Sequence, residues 1–377
     1  MKSLRTTALL LTLCALIATA CNRDASQPVT RTESTTAQIQ PASLVTNTSA
    51  NSGDAATSEA PAEPTMLAGP NAVPKDTRIV VNIPAFRMDV FKNGTLLKSF
   101  KIGIGYVEYP LPRGLRKAEM IIFNPTWTQP NEPWASNPGQ VVPAGAAGNP
   151  LGPIKVPIGG ANLIHGGKPL AKIGTFASHG CVGLTNEQVK DFAKVLAEAT
   201  DIQLSADTMA SYLKRRTRTQ VVKLPQIVPV ELRYETIVVE DGRVRIYRDV
   251  YGQKTNTEEN LRATLEKNGI SFDALSEQEK SQMLEILNIV SRNPKKQPTP
   301  PPTATASLTK EEKLAAAAAR RAEAERVRKL RSQRQFEVTV AALIGKGYPA
   351  PVSLNDGKPV AVSKETQPRQ PAASSTR

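Results

Sequence analysis

The sequence predicts a compact, mainly β domain with long ordered loops and few helices, set between a flexible N-terminal tether and a helical C-terminal region. Three observations carry this. Ile79, Val81 and Ile83 alternate with other residues, the period of a strand. Proline and glycine then recur every few residues up to Gly160, a density that excludes long helices. Two turn signals, "KNG" at Lys92–Gly94 and "EDG" at Glu240–Gly242, each join two strand-like runs.

The elements follow in order. Lys2 and Arg5 precede an apolar run, Ala8–Ile17, which is too short for a stable bilayer span and reads as an export signal over 1–20. The small residues Ala18–Ala20 before Cys21 resemble a bacterial lipoprotein signal, although Ala18 stands where that family prefers leucine. The resemblance implies that Cys21 carries lipid and begins the mature chain. Cleavage near Ala20 with Cys21 a free thiol is the alternative. Asn22, not aspartate, follows the cysteine, so retention in an inner membrane is not signalled. Residues 21–75 are Ser, Thr, Ala, Pro and Asn with almost no large apolar side chains, the composition of a disordered tether.

Residues 76–205 are expected to form the β domain. It closes on one helix, opened by a Thr185/Gln188 capping box, with Val189, Phe192, Ala193 and Leu196 on one face. A β extension is expected over 206–252 and a helical segment, broken near Gly269, over 253–293. A Pro/Thr linker follows at 294–307. Over 308–362 the sequence reads as a basic helix and a short apolar patch, and 363–377 as a disordered tail. The helix carries nine Lys or Arg against four Glu, the pattern of a solvated spacer or of a surface for anionic wall polymer or membrane.

The formal net charge of +14 points to anionic partners, and outside the cytoplasm these are lipid headgroups, wall polymers and peptide carboxylates. Aromatic residues are few, and neither finger spacing nor a recognition-helix pattern occurs, so no nucleic-acid module is expected.

The chemistry concentrates in "IHGGKPLAKIGTFASHGCVGL", Ile164–Leu184. Both histidines of the chain, His165 and His179, lie here within seventeen positions of each other and of Cys181, the one cysteine beyond the N-terminus. Exported proteins meet oxidising conditions, where a lone thiol is a liability unless it does chemistry. An imidazole can accept its proton, and the glycines beside it leave backbone N–H groups open to an oxyanion. Cysteine, histidine and such donors together point to acyl transfer. Two other readings remain at this level: a three-ligand zinc site, and two structural histidines beside a buried cysteine.

"HGG" followed by "SHGCVGLTN" resembles the signature of the L,D-transpeptidases of the YkuD type. "IVVNIPAFRMDVFKNG", "NPTW" at Asn124–Trp127 and "NPLGP" at Asn149–Pro153 extend the likeness in the same order, over Thr77–Ser205. The resemblance implies a compact β-sandwich or barrel-like catalytic domain that needs no cofactor. It implies Cys181 as nucleophile and His165 as base oriented by the Gly166 carbonyl. His179 would line the cleft, Ser178 support the loop, and Gly180 and Cys181 supply oxyanion N–H groups. Trp127 and Trp134, in the proline-rich loop, are candidates for the cleft wall. The implied substrates are peptidoglycan stem peptides, cut between a diamino acid and D-alanine with transfer to an amine. An L,D-carboxypeptidase and a non-catalytic wall-binding lipoprotein are the alternatives. Many members carry arginine where this chain has Gly183. Arg113, Arg116, Lys168 and Lys172 are possible substitutes, though each reads individually as a solvated surface charge.

Overall fold

A computed structural model describes residues 69, 71–291 and 309–353; Cys21, the export signal, the linker and the tail fall outside them. In chain order the first strands are β1 (Arg78–Asn82), β2 (Arg87–Lys92), β3 (Thr95–Lys101), β4 (Ile104–Gly105) and β5 (Gly114–Phe123). Asn93 at φ 47° and Gly94 at φ 80° turn β2 into β3, the pair of positive angles that matches the twist of a two-residue hairpin. Short strands follow: β6 (Trp127–Thr128), β7 (Val141–Val142), β8 (Ile154–Pro157), β9 (Leu163–His165), β10 (Phe176–Ser178) and β11 (Val182–Gly183). Helix α1 (Asn186–Ala199) starts at the Thr185/Gln188 capping box and buries Val189, Phe192, Ala193 and Leu196. Helix α2 (Ala206–Lys214) and the long strand β12 (Gln220–Arg233) complete this part.

Eight strands form one sheet in the order β11-β9-β8-β5-β12-β1-β2-β3. Two neighbouring pairs, β11/β9 and β1/β12, are parallel, and the rest antiparallel. Helix α1 packs on β2, β3 and β8, with Phe192 edge-on to Phe100 at 5.8 Å between ring centroids. The core of Ile79, Val81, Met88, Ile121, Phe123, Ile154, Ile164, Val182 and Phe192 is fully buried. Mainly-β architecture with few helices is thus the observed class.

The boundary expected at residue 205 cuts through this sheet. The segment read as a β extension begins with α2, and β12 then lies between β5 and β1 in the middle of the sheet. Pro225 and Pro229 disguise that strand, because proline in a run argues against a central position. A register shift between Lys223 and Val228 takes up Pro225, while Pro229 stays in register opposite Lys117.

The C-terminal third builds a second core. Strands β13 (Ile237–Glu240), β14 (Arg243–Tyr247) and β15 (Gln335–Thr339) form an antiparallel sheet, with Asp241 and Gly242 at positive φ in the first turn. Helix α3 (Glu258–Lys267) packs on β13, and α4 (Glu277–Ser291) on β14 and β15. Gly269, at φ 74°, follows α3, where the helical pattern was expected to break. The apolar patch of the sequence supplies buried Phe336, Val338, Val340 and Leu343 to this core. Helix α5 (Lys310–Ser332) is largely exposed, docking through Leu330 and an Arg326–Glu285 ion pair.

The two sheets meet at a joint of Val80, Phe91, Val238, Tyr247 and Tyr348. Arg87 lies there 2.8 Å from Asp89 and 3.1 Å from Glu240, and Arg233 lies 2.9 Å from Glu231. The Tyr348 hydroxyl donates to Asp89 at 2.9 Å. Among the described residues, no helix is long and apolar enough to cross a membrane.

Candidate active site

The site is a product of register. Parallel strands β9 and β11 set His165 opposite Gly183 and Ile164 opposite Val182. Side chains alternate across a strand, so His165 and Gly183 share a face. Cys181 immediately precedes β11, two residues before the partner of His165. Strand β8, paired with β9 through Lys155 and His165, fixes β9 from the other side.

His165 is buried, and its Nδ1 lies 2.7 Å from the Gly166 carbonyl. A carbonyl can only accept, so Nδ1 carries the proton and Nε2 keeps its lone pair. Burial first, and then the nearby Lys168, depress its pKa to about 3 against the Gly166 hydrogen bond, so the ring is a neutral base at neutral pH. Gly166 is where α1 comes closest: a Cβ there would lie 2.7 Å from Val189 Cγ1, so the residue that orients the imidazole has no room for a side chain.

Ser178 closes the loop that carries the thiol. Its Oγ donates to the Cys181 carbonyl at 2.6 Å and accepts from the Cys181 N–H at 2.9 Å. Gly180 between them sits at φ 98°, a conformation that glycine adopts without steric cost. The Cys181 N–H is held inside the turn by Ser178, so of the two expected oxyanion donors it is the Gly180 N–H that lacks a partner among the described residues.

The thiol of Cys181 is half-buried and reaches the Ala161 carbonyl at 3.9 Å. No hydrogen bond joins it to the His165 ring among the described residues. Burial raises its pKa, opposed by the Leu163 N–H and by Lys168.

His179 is exposed at the opposite lip. It stacks on Trp134 with centroids 4.0 Å apart and planes at 8°, and the rings of Tyr109 and Tyr106 meet its edge at 5.0 and 5.3 Å. Desolvation lowers its pKa, with Lys168 adding to the effect. Trp127 begins the β6/β7 ribbon and makes no ring contact with His179 among the described residues, so the two tryptophans part company.

Gly183 is buried and pairs in both directions with Gly103, at 2.8 and 2.9 Å. The space beside it is filled by Lys168, whose Cγ would lie 2.8 Å from a Cβ built on Gly183. Sequence reasoning missed Tyr106, Tyr109, Asn162 (whose amide donates to the Gly180 carbonyl) and the Leu163 N–H. An aromatic pair three apart in a proline-flanked loop, "YVEYPLP", was the available sign of the first two. No group of three His, Cys, Asp or Glu side chains converges as a metal site among the described residues.

Residues 76–209 match the family model of the YkuD L,D-transpeptidase catalytic domain. The probable L,D-transpeptidase YbiS of Escherichia coli K12 is 33% identical over 133 residues, covering 33% of this chain and 43% of that protein. The protein of the same name from Escherichia coli O6:H1 matches to the same extent. The chain therefore spans less than half the length of these curated relatives. Among solved structures, the catalytic domain of an E. faecium L,D-transpeptidase is 16% identical, with a TM-score of 0.29 over 43% of this chain and 100% of that one. An L,D-transpeptidase from Mycobacterium smegmatis is 18% identical, with a TM-score of 0.25 over 42% of this chain and 58% of that one. The segment that carries His165, His179 and Cys181 lies within the part of the chain that matches the YkuD L,D-transpeptidase catalytic domain.

Proposed function

We propose that the protein is a peptidoglycan L,D-transpeptidase, held through lipid on Cys21 at a membrane of the cell envelope, the outer one where there are two. Its partners are stem peptides, and the exposed basic face of α5 is available to anionic wall or membrane polymers. The observation that supports this reading is the buried, neutral imidazole of His165 with a free Nε2, on the strand that pairs with β11 immediately after Cys181.

In the reaction the thiol proton leaves the Ala161 carbonyl for His165 Nε2, and the sulfur attacks the carbonyl carbon of the third stem residue. The oxyanion is met by the Gly180 N–H. As the tetrahedral intermediate collapses, the bond to D-alanine breaks and the imidazolium returns its proton to the leaving amine. An amine then attacks the thioester, passes a proton to His165 and takes the peptide, which regenerates the thiol. These steps use thiol, imidazole and backbone donors, and require no cofactor.

The test is incubation of the purified full chain, in detergent, with a disaccharide-tetrapeptide, followed by mass spectrometry. A cross-linked dimer lacking one alanine supports the proposal. A tripeptide alone identifies water as acceptor and makes the protein an L,D-carboxypeptidase. Unchanged substrate means a wall-binding protein without turnover. Chelator should leave the dimer yield unchanged; zinc in stoichiometric amount, with activity lost on its removal, would overturn the metal-free mechanism.

A further inference from the structure

Lys168 follows the two glycines after His165, and its N–H is tied to the Leu184 carbonyl at 3.1 Å. That bond anchors it beside β11. Its side chain then runs over Gly183. The three heavy atoms nearest to a Cβ on Gly183 all belong to Lys168: Cγ at 2.8, Cε at 3.2 and Cδ at 3.5 Å. Gly183 is not at positive φ, so the backbone there tolerates a side chain and the space alone is occupied. The lysine stem uses the volume that the glycine vacates, and the ammonium it carries is near enough for its charge to act on Cys181.

The electrostatic surroundings of that ammonium are unusual for a half-buried lysine. Burial comes first and lowers its pKa; of the charges that act on it, Cys181 raises the pKa and Lys172 lowers it, and no carboxylate among the described residues pairs with it. Buried charges are ordinarily paired. Here the group able to supply the opposite charge is Cys181 itself, once ionised, and the effect is mutual.

We propose that Lys168 is the resident cation of this site, a positioning residue lying across Gly183 that stabilises the thiolate of Cys181 and so sets the pH at which the sulfur becomes nucleophilic. The arrangement couples two positions. Gly183 is required because Lys168 fills its space, and Lys168 is required because Gly183 brings no charge. The same ammonium adds to the burial that lowers the pKa of His165 and of His179. One lysine therefore favours the charged nucleophile and the uncharged base together.

The proposal rests on Cys181 being the nucleophile of the function above. Alkylation by iodoacetamide reads the thiolate directly and needs no peptide, so failure of peptide transfer and failure of this inference are separable. The rate at Cys181 is followed against pH in the full chain by peptide mass mapping, with circular dichroism as the folding control. Lys168→Met keeps much of the volume and removes the charge. It should slow alkylation at neutral pH by roughly tenfold and move the rate profile to higher pH, the scale of losing one nearby opposite charge. Lys168→Arg should stay within about threefold of wild type. The double variant Lys168→Ala/Gly183→Arg, which returns a cation from the other side of the same space, should regain the low-pH profile lost in Lys168→Ala. An unchanged profile in Lys168→Met overturns the inference. So does an equal loss in Lys168→Met and Lys168→Arg, which would mark a packing role, or a double variant no better than Lys168→Ala.

Discussion

The joint between the two sheets and the cleft around Cys181 both bury charge, and they treat it in opposite ways. In the joint every charge faces its complement. Arg87 lies between Asp89 and Glu240, Arg233 beside Glu231, and Arg245 3.2 Å from Glu240. In the cleft Lys168 faces a thiol and another lysine, and His165 is a neutral ring whose outer nitrogen is bonded to nothing described. The joint holds its buried charges in ion pairs, and burial still raises the pKa of Glu240. Pairing in the cleft is incomplete, and perturbed groups of that kind cluster at functional sites.

The sharpest way to test this contrast is to remove the sulfur. Cys181→Ser should abolish peptide transfer and formation of an acyl-enzyme from the disaccharide-tetrapeptide, as measured by intact-protein mass spectrometry. Its circular dichroism should match wild type, because the substitution changes little volume. Persistent adduct formation in this variant would mean that the cleft is not where acylation occurs.

His165→Ala follows, with an expected loss of about 10²- to 10⁴-fold in acylation rate, the usual worth of a general base. The ring also makes the cleft acid-sensitive. Its folded pKa of about 3 lies below the ordinary value of 6.5. Between those values the unfolded chain binds the extra proton, so stability should fall as pH drops from 6.5 towards 3. The joint works in the reverse direction at Glu240, where burial raises the pKa above its ordinary value. That contribution to stability is present at low pH and is lost as pH rises through the raised value. Urea unfolding across pH in wild type and His165→Gln reads the difference. The variant should lose less stability on acidification, and parallel curves would contradict the assigned burial.

How much of this was legible in the sequence differs between the same two regions. The cleft was announced by residue type, because His165, Ser178, His179, Gly180 and Cys181 fall within seventeen positions and glycine marks the turn. The hairpins at Asn93/Gly94 and Asp241/Gly242 and the capping box at Thr185 are local signals, and all are present. The joint was invisible. It is made by residues far apart in the chain, such as Asp89 with Tyr348, and charges at those positions read as solvated surface. The central place of β12 was hidden by two prolines. That the Cys181 N–H donates to the Ser178 hydroxyl was not legible, because a motif names donors without naming their partners. Lys168 was one of four candidate cations, and only the close approach to Gly183 separates it from the others.

Breaking the joint should show in stability and not in rate. Arg87 is largely buried, and Arg87→Met leaves Asp89 and Glu240 without the cation between them. Removing one partner of a buried pair costs about 3–5 kcal/mol. Thermal unfolding should therefore begin well below the wild-type temperature, while alkylation of Cys181 at low temperature stays within about twofold. A large fall in alkylation in a folded sample would mean that the joint and the cleft are coupled.

The smallest effect is expected at the cleft's exposed lip, where the contrast is weakest. His179 and Trp134 stack face to face at 4.0 Å, and Tyr109 holds both edges, at 5.0 Å from His179 and 6.5 Å from Trp134. This cluster is solvent-facing, and an aromatic pair contributes about 0.5–1.5 kcal/mol beyond area burial. Trp134→Ala removes the plane on which His179 rests and frees the imidazole to rotate. If the stack positions the lip for a peptide, the variant should raise KM by roughly two- to tenfold, the same energy expressed as binding. Its kcat should change little, because His165, Gly180 and Cys181 are untouched. Trp134→Phe, which keeps a flat ring, should recover most of the loss. Trp127→Ala is the control, since that ring does not touch His179, and it should leave KM unchanged. Equal effects of the two tryptophan substitutions would show that the whole loop, rather than the stack on His179, walls the cleft.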